Sequence, residues 1–202
     1  MKNKLIYLIR HGETLTNNPQ KKRYIGQLDI PLSNKGIGQA QRLAEVLGRL
    51  PIVKVYASNL TRSLQTAEFI AASLCLKPEI ISNLAEINLG RWEGLLFEEV
   101  RCRYPEEYIR RGQNILHHRP PGGESFAECR QRVLAAYHQI ATEVAGPILV
   151  VAHAGVNRLI LCDILGMQPE NLFMIEQNYG CLNMIRRTNS GDRIILINYV
   201  LL

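Results

Sequence analysis

The sequence predicts an α/β fold, a three-layer sandwich with a mostly parallel central sheet and helices on both of its faces. Three observations carry this. Short apolar runs alternate along the chain with segments whose apolar residues recur at three- and four-residue spacing. The runs "KLIYLI" and "PILVVA" are apolar almost throughout, as strands covered on both sides are. No linker, repeat or low-complexity stretch interrupts the 202 residues, so one domain, 1–202, with a sizeable core is expected.

The elements follow in order. Residues 4–9 read as a buried strand. Residues 33–50 read as a helix with Ile37, Ala40, Ala44, Leu47 and Leu50 on one face, and residues 52–57 as a strand. Leu60, Leu64, Ala67, Ala71 and Leu74 mark a second helix, and residues 79–82 a short strand. Residues 98–111 form one or two short helices interrupted at Pro105, and the prolines and glycines of 113–123 make a loop. Ser125 opens a long helix. Its spacing to Glu128 is that of a capping box, and Phe126, Cys129, Val133, Ala136, Ile140 and Val144 form its apolar stripe. Residues 147–152 are a strand and 156–165 a helix. "CLNMIRR" and "RIILINYV" flank the turn "TNSGD" as a closing hairpin. Alternating strands and helices make the sheet largely parallel, and such sheets gather ligands beyond the carboxyl ends of their strands.

Composition narrows the function classes. Hydrophobic residues are 47% and charged residues 21%, ordinary globular usage. The first apolar run is too short for a signal-peptide core, and no stretch approaches the roughly 18 apolar residues of a membrane span. A soluble, cytoplasmic protein without a membrane partner is expected. The five cysteines are odd in number and scattered, with no C-x-x-C, which argues against a disulfide framework or zinc knuckle. The net charge of +6 suits anionic partners. Its basic clusters are short and lack interleaved aromatics, so a small phosphorylated metabolite is expected rather than nucleic acid. Nothing in the sequence specifies an oligomeric state.

The polar residues fall in a pattern. Arg10 and His11 follow the first strand, Arg62 opens the helix after the second, Glu86 follows the third, and His153 follows "PILVVA". Each alone is unremarkable; a histidine after a strand is usually structural. Together they bring two histidines, two arginines and a glutamate to one rim. Arginine forks match phosphate oxygens bidentately. They also disfavour protonation of His11 and keep it nucleophilic. Gly12 lets the backbone turn tightly beside the ring. A cationic His153 would hold a phosphoryl oxygen, and Glu86 would give a proton to the leaving alkoxide and later take one from water. The set describes phosphoryl transfer through a phosphohistidine. The rival is a zinc site of two histidines and a glutamate, against which the flanking arginines argue because they repel a cation. Walker and dinucleotide fingerprints are absent.

These residues resemble the histidine phosphatase superfamily, which includes cofactor-dependent phosphoglycerate mutase. The "RHGET" signature spans 10–14. The match continues through Asn17, "PLSNKGIGQA", "SNLTRSLQTA", "LAEINLGRWEG", "PPGGES" and "VVAHAG". The resemblance implies a phosphoglycerate mutase-like fold, with no metal and no organic cofactor. It implies His11 as the nucleophile, Glu86 as the proton donor, and Arg10, Arg62 and His153 as the phosphate pocket. Asn17, Gly26, Gln27 and the backbone at Ala154 join substrate binding, and Ser58 orients the pocket. The modest segment between Glu86 and His153, and an ending at the hairpin, favour a phosphatase over a mutase. "LGRWEG", "RPPGGES" and "NYGCLNMI" look most like bacterial α-ribazole-5′-phosphate phosphatases of cobalamin biosynthesis. Phosphoserine and broad-specificity phosphatases share much of the pattern, and a catalytically idle phosphate-binding module is a further alternative. Specificity is expected from residues 91–123, with His117 and His118 exposed on the loop and Trp92 either in the core or on the substrate side.

Overall fold

The computed structural model describes residues 4–18 and 20–201. Its six-stranded sheet comprises β1 (Lys4–Arg10), β2 (Lys54–Ala57), β3 (Pro78–Ile80), β4 (Ile148–Ala152), β5 (Leu182–Thr188) and β6 (Gly191–Tyr199). The spatial order is β3-β2-β4-β1-β5-β6. The first four strands are mutually parallel, and β5 and β6 run antiparallel as the closing hairpin.

Six helices surround the sheet: α1 (Asn34–Leu47), α2 (Thr61–Ser73), α3 (Phe97–Arg103), α4 (Pro105–Gln113), α5 (Phe126–Glu143) and α6 (Ala154–Leu165). The pleat of β1 shows how the layers form. Ile6 and Leu8 pack in a cluster with Val133 and Ile140 of α5 and Leu159 and Ile160 of α6. Tyr7 and Ile9 point the other way, to Leu43 and Leu47 of α1 and Ala67 and Ile70 of α2. All five residues of β4 are buried, which accounts for its unbroken apolar run. Each such aliphatic side chain contributes about 1.5–3 kcal/mol on leaving water.

The expected elements are present, with differences at their faces and ends. Ser33 caps α1 by accepting from the Gly36 N–H, but the buried face is Gly36, Ala40, Leu43 and Leu47 rather than one centred on Ile37. Helix α2 buries Arg62, Ser63 and Thr66 beside its apolar residues, because its first turns lie at the carboxyl edge of the sheet. Pro105 separates α3 from α4, as expected, and the Ser125–Glu128 capping box is formed. Val144, expected on the α5 stripe, is the residue at which that helix ends. Three 3₁₀ segments, Ser82–Leu84, Gly90–Trp92 and Pro169–Met174, carry no periodic signal and were not anticipated; the first begins at Ser82, where the sequence suggested the end of a strand, and β3 itself is Pro78–Ile80. Among the described residues no helix is long and apolar enough to cross a membrane.

The topology opens one crevice. Strands β1 and β4 are parallel neighbours, yet β1 leads to α1 on one face and β4 to α6 on the other. The two chains therefore diverge at the carboxyl ends of these strands, the place where open α/β sheets bind ligands.

Candidate active site

The divergence places His11 and His153 side by side, with ring centroids 5.1 Å apart. His11 is buried against the end of β1. Its Nδ1 lies 2.7 Å from the Gly12 carbonyl. A carbonyl only accepts, so Nδ1 carries the proton and Nε2 keeps its lone pair. Arg62 Nε donates to that Nε2 at 3.2 Å. Burial holds the His11 pKa well below its ordinary value of 6.5, and the charges of Arg62 and then Arg10 add to the effect. The arginines expected to keep this ring neutral are thus the lesser cause, behind desolvation.

Gly12 has a different role from the one read in the sequence. Its φ is not in the left-handed region. A Cβ there would stand 2.5 Å from the Gly36 carbonyl, so glycine allows α1 to approach the backbone beside the nucleophilic ring.

The two arginines are held from behind. Arg62 donates to the carbonyls of Leu28 at 2.8 Å and Gly26 at 2.7 Å. Arg10 donates from one terminal nitrogen to the Gln177 carbonyl at 2.6 Å and lies over the Tyr179 ring. The Arg10 Nε–H is buried with no partner among the described residues. Gln177 is itself fixed by paired amide hydrogen bonds with Asn183.

His153 corrects an expectation. Burial, and then the Arg62 guanidinium, push its pKa well below the ordinary value, so the protein's own field favours a neutral ring rather than a cation. Its Nε2 is 2.6 Å from the Ser58 hydroxyl at the end of β2, which orients the ring. Its Nδ1 is buried and has no partner among the described residues. A dianionic phosphoryl group beside it would draw the proton back.

Glu86 reaches the same rim. One carboxylate oxygen accepts from the Gly155 N–H in the first turn of α6 at 3.0 Å, the other from the Ile87 N–H at 3.0 Å. A Cβ on Gly155 would approach Glu86 to 2.5 Å, which explains the glycine in "VVAHAG". The segment bearing Glu86 is clamped from α5. Arg132 donates to the carbonyls of Asn83, Ala85 and Glu86 and pairs with Glu124. Glu124 in turn accepts from the Asn88 N–H.

The cavity at this rim measures about 420 Å³. Arg10, His11, Arg62, Glu86, Gly26 and Ala154 all line it. Its other walls include Tyr24, Phe97, Phe126, Phe173 and Tyr179, together with Arg23, Arg111 and Arg158. Five arginines thus face one carboxylate among the described residues. Asn17 lies farther out, on an adjoining cavity of about 580 Å³, where its amide donates to Glu13. Gln27 stands behind the wall and donates to the Glu86 carbonyl at 2.9 Å. Residues 91–123 supply only Phe97 and Arg111 to the inner cavity, so most of the wall beyond the rim comes from elsewhere. His117 is exposed as expected, but His118 is half-buried against Trp92. Trp92 is fully buried and belongs to the core. Among the described residues no group of three His, Cys, Asp or Glu side chains is placed to hold a metal ion.

Sequence reasoning missed Tyr24, Phe126, Arg158, Phe173 and Tyr179. These sit within helices or on irregular segments, away from the strand ends where polar residues draw notice. For Tyr179 alone a signal exists: it precedes β5, which pairs with β1, so it must lie beside Arg10.

Residues 6–200 match the family model of the histidine phosphatase superfamily, branch 1. The chain belongs to the histidine phosphatase superfamily. It is 34% identical to a 2,3-bisphosphoglycerate-dependent phosphoglycerate mutase 2 of Gloeobacter violaceus, over 87% of this chain and 82% of that one. It is also 34% identical to phosphoserine phosphatase 1 of Hydrogenobacter thermophilus, over 88% and 82% of the respective chains. The crystal structure of the α-ribazole phosphatase from Shigella flexneri superposes with a TM-score of 0.87 at 29% identity, covering 96% of each chain. The phosphoglycerate mutase-like fold expected from the sequence is therefore the fold observed. As a superfamily phosphatase the protein is a hydrolase.

Proposed function

We propose that the protein hydrolyses phosphomonoesters through a phosphohistidine at His11. The observation that carries this is the buried, neutral His11 ring at the cavity wall, whose Nδ1–H is fixed on Gly12 and whose Nε2 lone pair accepts from Arg62 Nε–H, a donor that an incoming phosphoryl oxygen would take over. In the first step Nε2 attacks phosphorus, an N–P bond forms and the ester P–O bond breaks. The leaving oxygen takes a proton from the Glu86 carboxyl group. In the second step water attacks phosphorus and gives a proton to the Glu86 carboxylate. The N–P bond breaks, and inorganic phosphate leaves. Arg10, Arg62, His153 and the N-terminus of α6 at Ala154 hold the phosphoryl oxygens, where a helix dipole favours negative charge. No step needs a metal or an organic cofactor.

His11→Ala is expected to lower kcat by more than about a hundredfold, since a lost nucleophile costs several kcal/mol of barrier. Acid-quenched wild type is expected to carry a phosphoryl group that is acid-labile and alkali-stable. An alanine variant with substantial turnover would refute the covalent route. Activity that EDTA abolishes and zinc restores would favour the metal reading. Failure to turn over p-nitrophenyl phosphate would favour the idle phosphate-binding module.

For the substrate, the reading is α-ribazole 5′-phosphate, with a place in cobalamin biosynthesis. Likeness to the Shigella protein and the aromatic walls of the cavity support it. A second reading, a phosphorylated hydroxy acid such as phosphoserine, is favoured by Arg111 and Arg158. Both line the cavity without a carboxylate partner among the described residues. Ranking α-ribazole 5′-phosphate, phosphoserine and 3-phosphoglycerate by kcat/KM separates the two. A preference for phosphoserine of about tenfold, some 1.4 kcal/mol in the transition state, would overturn the first.

A further inference from the structure

Two phenylalanine side chains stand exposed beside the cavity that holds His11. Phe97, the first residue of α3, is 40% exposed, and Phe173, in the 3₁₀ segment Pro169–Met174, is 51% exposed. Both line the inner cavity that holds His11, and both line the adjoining outer cavity. They therefore stand where the two cavities meet. A substrate whose phosphoryl group reaches His11 must carry its leaving group past them.

Each ring is braced by a second aromatic ring and a guanidinium group, in different geometries. Phe97 stacks on Tyr24, with centroids 4.2 Å apart and planes 29° apart. The Arg111 guanidinium lies 5.5 Å from the Tyr24 ring centre. Phe173 receives Phe126 edge-on at 5.7 Å, and the Arg158 guanidinium lies 5.3 Å from the Phe173 ring centre. These six residues come from six separate segments, so the arrangement is not a by-product of one helix face. Stacked and edge-on neighbours restrict ring rotation, and a ring already fixed loses little freedom when a second planar group settles on it. Guanidinium groups beside aromatic rings extend the planar surface by cation–π contact.

We propose that Phe97 and Phe173, braced by Tyr24 with Arg111 and by Phe126 with Arg158, form a leaving-group subsite that selects phosphomonoesters bearing a planar heteroaromatic group. The subsite rests on the reading of the rim as the phosphoryl site. It deepens the proposed substrate by naming what recognises the base. The phosphoryl cradle contacts a group common to all monoesters and cannot tell them apart. The exposed rings are what a flat leaving group meets next.

The test compares kcat/KM for benzimidazole riboside 5′-phosphate with that for ribose 5-phosphate, which has the same ester without the ring. Stacking of a base on an aromatic side chain changes binding by about 5- to 150-fold, so wild type is expected to favour the benzimidazole compound by about tenfold or more. Phe97→Ala and Phe173→Ala are each expected to shrink that ratio several-fold, while Phe97→Tyr and Phe173→Tyr retain it. A wild-type ratio near one overturns the subsite. So do alanine variants that lower both substrates equally, the signature of a merely structural role. If α-ribazole 5′-phosphate is the preferred substrate but the alanine variants keep the ratio, the substrate reading stands and the subsite falls. If AMP outruns the benzimidazole compound and the alanine variants lose that preference, the subsite stands and the α-ribazole reading falls.

Discussion

At the scale of the residue, His11 and Glu86 divide the chemistry by environment. The imidazole is desolvated and crowded by guanidinium groups, so it stays neutral and Nε2 keeps a lone pair, which accepts from Arg62. The carboxylate is held by two backbone N–H groups at the rim of the same cavity. If Glu86 is the acid, its removal should matter in proportion to the basicity of the leaving oxygen. Glu86→Gln is expected to slow an alkyl phosphate by about 10²- to 10⁴-fold and p-nitrophenyl phosphate far less, measured as kcat on each. Equal losses would show that Glu86 only positions other groups. Five residues of this rim were legible in the sequence, because Arg10 ends a strand and His11, Arg62, Glu86 and His153 lie within six residues after one. Arg158 was not: it sits in the second turn of α6, where an arginine ordinarily faces solvent. Arg111, in the last turn of α4, falls in the segment expected to carry specificity but was not singled out.

At the scale of the element, the first turn of α6 sets where the acid lies. Gly155 donates to Glu86, and its missing side chain leaves the room that carboxylate occupies. The atom a Cβ would strike is the free end of a side chain rather than backbone. Gly155→Ala should therefore displace Glu86 with little cost to folding. The expected result is a fall of about tenfold or more in kcat on alkyl phosphates, with Tm moved by less than about 3 °C. A large loss of Tm would mean that the glycine serves packing instead. Helix α5 acts on the same carboxylate from behind, through the hydrogen bonds of Arg132 to residues 83, 85 and 86. The start of α5 was readable from its capping box, since Ser125 and Glu128 are local partners. The clamp was not, because Arg132 meets its carbonyl partners 46 to 49 residues away.

At the scale of the whole molecule, two fully buried neutral histidines tie stability to pH. Their native pKa values lie below 6.5, while in the unfolded chain they return to about 6.5. As pH falls through that value the unfolded state takes up protons that the native state refuses. Stability is therefore unaffected by these groups above about pH 7.5 and falls as the solution is acidified, by up to about 1.4 kcal/mol per pH unit for each ring. Urea midpoints at pH 7.5, 6.5 and 5.5 are expected to decrease in that order. The decrease should be shallower in His11→Asn and in His153→Asn. A midpoint that rises on acidification would show that the rings are charged in the native protein.

The sequence by itself determined the alternation of elements, the burial of the central strands, the capped start of α5 and the five polar residues of the rim. These are local signals, carried by periodicity, caps and the short distance between a strand and the residue that follows it. Only the tertiary structure decided that α1 and α6 leave neighbouring strands on opposite faces, and so where the crevice opens. It also decided that burial outweighs the arginines in keeping His11 neutral, that His153 shares this fate, and that the cavity walls are aromatic. Desolvation depends on everything packed around a group, and a cavity wall is assembled from segments far apart in the chain. Neither quantity is written in any one stretch of residues.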